Sequence, residues 1–162
     1  MFDPVPALRA GAEVTGDATD MTMGTEHRTR AIDEIASYHA HIYFEPATRG
    51  DAADLREAME ARFAVRMGRW HDRLIGPHSR AMYQVAFDCG LFASFVPWLM
   101  LNHRGLSVLV HPNTLNPRRD HLEDALWIGP RLPVFGEVLA TEVVQADGVG
   151  EINTQPLPSM PI

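Results

Sequence analysis

The segment YHAHIYF, Tyr38 to Phe44, puts two histidines one residue apart in a run of strand-forming residues. Side chains alternate between the faces of a strand, so His39 and His41 project together, about 6.6–6.8 Å apart along the backbone. Tyr43 follows on that face, while Tyr38, Ala40, Ile42 and Phe44 make the other face apolar and fit for a core. Imidazole is the commonest metal ligand among side chains and the one that titrates near neutral pH. Three more histidines sit in suggestive places: His78 in GPHS, His111 in LVHPNT and His121 in RRDHLEDALWIG. His27, His71 and His103 read as solvated or structural. An H-x-H pair by itself is more often two satisfied histidines than a metal site. A third imidazole delivered by a neighbouring element would change that balance.

The elements around these residues supply one. After the first strand, DAADLREAMEARFAVR carries Leu55, Met59 and Phe63 on one helical stripe, with Asp51 as the expected N-cap. GRWHDRLIG reads as a weaker strand ended by the turn GPHS. RAMYQVAF alternates, with Ala81, Tyr83, Val85 and Phe87 against Arg80, Met82, Gln84 and Ala86. LFASFVPWLMLNHRG reads as a helix stopped at Gly105, with a kink or a late start expected at Pro97. LSVLVHP is a fourth strand, with Ser107, Leu109 and His111 on one face.

Strand, helix, strand, strand, helix, strand is the ferredoxin-like βαββαβ order, an α+β fold with two helices on one face of an antiparallel sheet. The first and fourth strands are then neighbours. His39, His41, Gln84 and His111 fall together on the face away from the helices. Three imidazoles on rigid strands could hold a divalent metal and leave positions open for a substrate. The carboxylates add little: Glu45 and Asp88 lie just past strands, and Asp120 with Glu123 reads as the N-cap and N3 of a short helix around His121. If no carboxylate joins, the site is a three-histidine one.

Composition limits the partners. The chain has 162 residues, 46% apolar and 22% charged, with a net charge of −7, values of a single globular domain and not of a nucleic-acid binder. One cysteine, Cys89, excludes a disulfide framework and a cysteine zinc site within one chain, and reads as a partly buried thiol. The opening MFDPVPALRAGAEV lacks secretory features, and LFASFVPWLML is about half the ~20 residues a membrane span needs. The expectation is a cytoplasmic protein with no membrane partner. Residues 1–34 read as a mobile extension, 35–140 as the folded domain and 141–162 as a proline-bearing tail.

YHAHIYF, GPHSRAMYQVAF, LSVLVHPNT and RDHLEDALWIG, in this order and spacing, resemble the DOPA 4,5-dioxygenase family over about Ser37 to Leu132. The resemblance implies a ferredoxin-like fold and extradiol cleavage of a catechol by O2 at a non-haem Fe(II), with zinc or another divalent metal possible in a purified sample. It carries over to His39, His41, His78, His111 and His121. The expected division is His39, His41 and His111 as metal ligands, with His78 and His121 as the acid/base pair. Tyr43 and Trp127 could wall an aromatic ring, Trp98 reads as core, and Arg80, Arg118 or Arg119 could bind a substrate carboxylate.

Two other readings use the same residues: a zinc-dependent hydrolase or isomerase, and a non-catalytic ferredoxin-like binding module. Under all three, the face bearing Tyr43, Met82 and Leu109 needs a cover, and a homodimer is the expected one.

Overall fold

Alternating faces and two helical stripes produce the expected sheet. The computed structural model describes residues 29–153. Central strand β1 (Ser37–Phe44) is antiparallel to β3 (Ala81–Phe87) on one side and to β4 (Ser107–Asn113) on the other. β2 (Arg66–His71) adds outside β3, and a short β5 (Leu126–Ile128) adds outside β4, giving the order β2-β3-β1-β4-β5. The first four strands with α1 (Arg49–Arg62) and α2 (Phe92–Asn102) form the ferredoxin-like α+β architecture. β5 is an addition that the sequence reading did not contain.

The core lies between the helices and one sheet face. Leu55 and Met59 of α1 and Phe95 and Leu99 of α2 pack on Ile42, Val85, Phe87 and Val108, all almost wholly buried. Each such side chain contributes roughly 1.5–3 kcal/mol of burial. Trp98 belongs to this core, as expected. Tyr83 also donates its hydroxyl to the Ala52 carbonyl at 2.9 Å, tying β3 to α1.

Three local expectations are corrected. α1 starts directly from a 3-10 turn at Pro46–Thr48, so Asp51 sits in the first turn and Thr48 is the N-cap. The Thr48 hydroxyl instead accepts from the Glu45 amide at 3.0 Å. α2 begins five residues before Pro97, with no late start. Pro97 is solvent-facing, so water can serve the Ala93 carbonyl that its missing N–H leaves free. Cys89 is exposed, and its thiol is pushed up by desolvation and by Asp88, the reverse of an activated nucleophile.

The opposite sheet face is covered by the chain itself. Tyr43, Met82 and Leu109 are buried there beneath Leu132, with Trp127 and Val134 packed alongside. The apolar exposure that argued for a homodimer is therefore absent from this face. The cover comes from the stretch after β4, including α3 (Pro117–Leu122), and from the GPHS turn, where His78 bridges Val134.

The segment read as a tail takes part as well. The Val143 amide donates to the Leu115 carbonyl at 2.9 Å, and Ser37 Oγ donates to the Asp147 carbonyl at 2.5 Å. Farther along, Asn153 Oδ1 accepts from the Val65 amide at 2.7 Å. Residues 1–28 of the expected extension and 154–162 of the expected tail lie outside the described residues. No helix among the described residues is long and apolar enough to cross a membrane.

Candidate metal centre

The strand register builds the centre from β1 outwards. His39 of β1 pairs with His111 of β4, and His41 pairs with Gln84 of β3. All four side chains share the face away from the helices, as the alternation requires. The GPHS turn sets His78 above His41, with ring centroids 4.1 Å apart. α3 lays His121 over His111 at 3.8 Å. Five imidazoles from two strands, a turn and a helix thus form one cluster. His39, His41, His78 and His111 are buried, with His41 2% and His111 1% exposed, while His121 is half-buried at the edge.

α3 reaches this position through contacts that the sequence reading placed differently. Its N-cap is Asn116, whose side chain accepts from the Arg119 amide at 2.9 Å, and Pro117 takes the first helical position. Asp120 is therefore inside the helix and not its N-cap. Its buried carboxylate accepts from the Thr114 amide at 2.8 Å and the Thr114 hydroxyl at 2.7 Å, clamping α3 to the end of β4. Burial raises the Asp120 carboxyl, opposed by those two bonds. Asp120→Ala should cost about 2–3 kcal/mol by leaving the buried Thr114 amide unpaired. Denaturant melts check this; an unchanged midpoint would show that the clamp does not hold α3.

Hydrogen bonds fix several ring orientations. His111 donates from Nδ1 to the Pro112 carbonyl at 2.7 Å, and His121 from Nδ1 to the Pro117 carbonyl at 2.8 Å. In both, Nε2 keeps its lone pair. Tyr43 and His78 share a hydrogen bond of 2.8 Å between the phenol and Nδ1. Burial pushes the Tyr43 phenol up, so it stays protonated. His39 Nε2 lies 3.1 Å from the Gln84 amide nitrogen.

His41 Nε2 and His111 Nε2 stand 3.0 Å apart, and His41 Nδ1 is buried without a partner. A proton or a cation must separate two ring nitrogens that close. Two nitrogens at the ~2.0–2.1 Å distance of a metal–imidazole bond, at right angles to each other, would stand about 3 Å apart.

Two groupings bring their ligand atoms within 4.8 Å of one another: His39, His41 and His111, and His41, His78 and His121. His41 belongs to both. Neither grouping, among the described residues, includes a carboxylate. Glu45 pairs with Arg80 at 2.7 Å, and Asp88 accepts from the Gly90 amide at 2.9 Å. An all-imidazole set of uncharged, convergent ligands with one orphaned nitrogen fits zinc, iron, copper or nickel.

Electrostatics keep the cluster uncharged. Desolvation first, and the neighbouring imidazoles second, hold His41 and His111 well below their ordinary range. Desolvation pushes His39 down to about 4 and His78 down to about 3, and it also lowers His121. At His39, the charge of Asp147 acts upward and that of Arg66 downward.

These depressed values have a stability consequence. The unfolded chain binds protons below about pH 6.5 while the folded chain does not, so it is the unfolded state that gains. Metal-free protein should therefore lose stability as pH falls from about 6.5 to about 4, by up to roughly 1.4 kcal/mol per pH unit for each histidine. Above about pH 7.5 these groups contribute no pH dependence. Urea midpoints at pH 7.5, 6 and 5 check this, and a flat profile would contradict the buried, neutral cluster.

A cavity of about 140 Å³ opens beside His39, His111 and His121 and is rimmed by Asn113, Gln145 and Asp147. Tyr43 is too deeply buried to wall a substrate there, and it stacks on Trp127 with centroids 5.7 Å apart. The arginines expected to bind a carboxylate are engaged elsewhere. Arg118 donates to the Gly136 carbonyl at 2.8 Å, Arg119 faces Glu123 and Asp124, and Arg80 holds Glu45. His103, read as structural, bonds the Leu106 carbonyl at 2.8 Å; His27 lies outside the described residues.

Known proteins share this arrangement of sequence. The model of the Dopa 4,5-dioxygenase family matches residues 38–138. An uncharacterized 21.2 kDa protein of Botryotinia fuckeliana is 37% identical over 110 residues, covering 60% of this chain and 60% of the relative. The DOPA 4,5-dioxygenase of Amanita muscaria is 34% identical over 122 residues, covering 68% of this chain and 52% of the relative. The chain thus spans between half and two thirds of the length of these curated relatives. The crystal structure of a candidate dioxygenase from Nostoc punctiforme is 49% identical, with a TM-score of 0.67, covering 68% of this chain and 96% of that one. All five clustered histidines lie inside the matched stretch, and the chain belongs to the Dopa 4,5-dioxygenase family.

Proposed function

We propose that this protein is a ring-cleaving dioxygenase that opens catechols, of the DOPA type or related aromatic acids, by the extradiol route. In that reaction a ring carbon–carbon bond beside the hydroxyl pair breaks, and both atoms of O2 end in the product. The observation that carries the reading is the buried, uncharged five-histidine cluster in a chain of this family. His39, His41 and His111 would hold Fe(II), because all three stand on strands that fix their direction. Bound there, the iron would supply electron exchange with O2 and a Lewis acid for the catechol oxygens.

The remaining steps belong to the protein. A catechol must lose a proton to bind as an anion, and His78, kept neutral by burial, would accept it only as the charge of the bound metal and anion offsets that burial. Its partner Tyr43 holds the ring through the 2.8 Å bond. His121 stands at the cavity edge, half-buried, where a proton can be exchanged with solvent and returned to the product. The buried rings exclude bulk water from the reacting groups.

A second assignment of ligands has its own support. Gln84 engages His39 Nε2, while the Nδ1 bond of His121 to a carbonyl is the orienting contact common at metal-bound histidines. On that assignment His41, His78 and His121 hold the metal, and His39 handles the proton. The experiment for the function itself is anaerobic iron loading followed by a catechol panel in air. A yellow ring-opened product that depends on iron supports the reading. Activity with zinc and no need for O2 would replace it with hydrolase or isomerase chemistry.

A further inference from the structure

Arg66 is a cationic side chain on the histidine face that belongs to neither histidine grouping. The register puts Arg66, Ala86, His39 and His111 in a single row across the sheet, all on the face away from the helices. Arg66 thus stands two strand spacings from His39, about 9.6 Å at the backbone. That separation is comparable with the length of a catechol carrying a short carboxylate arm.

The ground between them is bare. Gly68 and Ala86 present almost no side chain there, and with Arg66, Met67, Arg69, His71 and Gln84 they line a cavity of about 520 Å³, which meets the histidine cluster through Gln84, the partner of His39. A Cβ on Gly68 would lie 3.0 Å from the Gln84 carbonyl and 3.2 Å from its Cβ, so even alanine would crowd this floor. The Arg66 side chain lies against Gly150, with Cδ and Nη1 each 3.5 Å from where a Cβ on that glycine would stand. The C-terminal stretch therefore flanks the guanidinium.

The chain contains no lysine, so arginine must receive an anionic ligand. Arg30, Arg49, Arg80, Arg104 and Arg119 are each paired with carboxylates. Arg66 has no such pair among the described residues, and neither has Arg69, which lines the same cavity from the irregular part of β2 between Met67 and Trp70, outside the row that contains His39. Arginine is also suited to the task, since its planar fork can meet a carboxylate with two parallel bonds.

We propose that Arg66 is the specificity residue of this site: it receives the carboxylate of an aromatic acid whose catechol ring lies at the histidine cluster. The proposal rests on the ring-cleaving reading for its kinetic consequence, but its binding consequence is separable. The test compares homoprotocatechuate with its uncharged methyl ester, on wild type, Arg66→Ala and Arg66→Lys. Binding is read by calorimetry under nitrogen, and turnover by ring opening in air.

The wild type should bind the acid about 10–100-fold more tightly than the ester, the range expected for a charge-assisted contact. Arg66→Ala should remove that preference by raising Kd and KM for the acid alone, with kcat within about twofold. Arg66→Lys should restore part of it. Equal losses for acid and ester in Arg66→Ala, or an unchanged preference, would overturn the assignment. If wild type opens neither catechol, the ring-cleaving reading fails, while the calorimetric comparison still decides for or against Arg66.

Discussion

His41→Ala should yield a folded protein that binds no metal and opens no ring. Both candidate groupings contain His41, and no other residue does so. Losing an outer partner of a ligand costs about 10–100-fold in metal affinity, and losing the shared ligand must cost more. The fold survives because β1 keeps its backbone ladders to β3 and β4, which do not involve the ring. The substitution opens a small void, but it also removes a buried nitrogen without a partner. His71→Ala, on β2 and in neither grouping, is the control for metal content and should keep its metal. Elemental analysis of the two variants beside wild type decides the matter. Equal iron in wild type and His41→Ala would remove His41 from the centre.

His121→Ala separates the two assignments of the remaining histidines. If His121 exchanges protons at the cavity edge, the variant keeps its iron and loses about 10²–10⁴ in kcat. His121→Gln should be nearly as inactive, because an amide can hydrogen-bond but cannot carry a proton at neutral pH. If iron and activity fall together, His121 is a ligand, and the grouping with His41 and His78 is the centre. His39→Ala provides the mirror test, since it should lose iron on the first assignment and retain it on the second.

Much of this site was legible because period-two alternation is a strong signal. YHAHIYF fixes which residues share a face, and the βαββαβ order then makes β4 the neighbour of β1. Those two facts allow His111 to lie beside His39, and the register places them opposite each other. The five histidines stood out by their placement and fell within the four ordered motifs of the resemblance, and the family match over residues 38–138 bears that resemblance out.

What escaped the reading depends on contacts between segments distant in sequence. Asp120 looks like an N-cap in RRDHLE, but its partner is Thr114 at the end of β4, and Asn116 with Pro117 has already started the helix. The cover over Tyr43, Met82 and Leu109 comes from a stretch rich in proline and glycine with no period to detect. Arg66 closes the segment DAADLREAMEARFAVR read as helical, whereas α1 ends at Arg62 and β2 begins at Arg66, so no strand face was assigned to it. The case for Arg66 rests on the cavity that the small residues Gly68 and Ala86 leave beside it.

The central claim is that this histidine cluster, loaded with iron, splits a catechol ring with O2. Its most direct measurement is the mass of the product formed from homoprotocatechuate by the iron-loaded protein in air. The expected product is heavier than the substrate by both atoms of one O2, with one O2 consumed per catechol and no product from His41→Ala. A product lighter by two hydrogens, the quinone of simple oxidation, would contradict it, as would equal yields from wild type and His41→Ala.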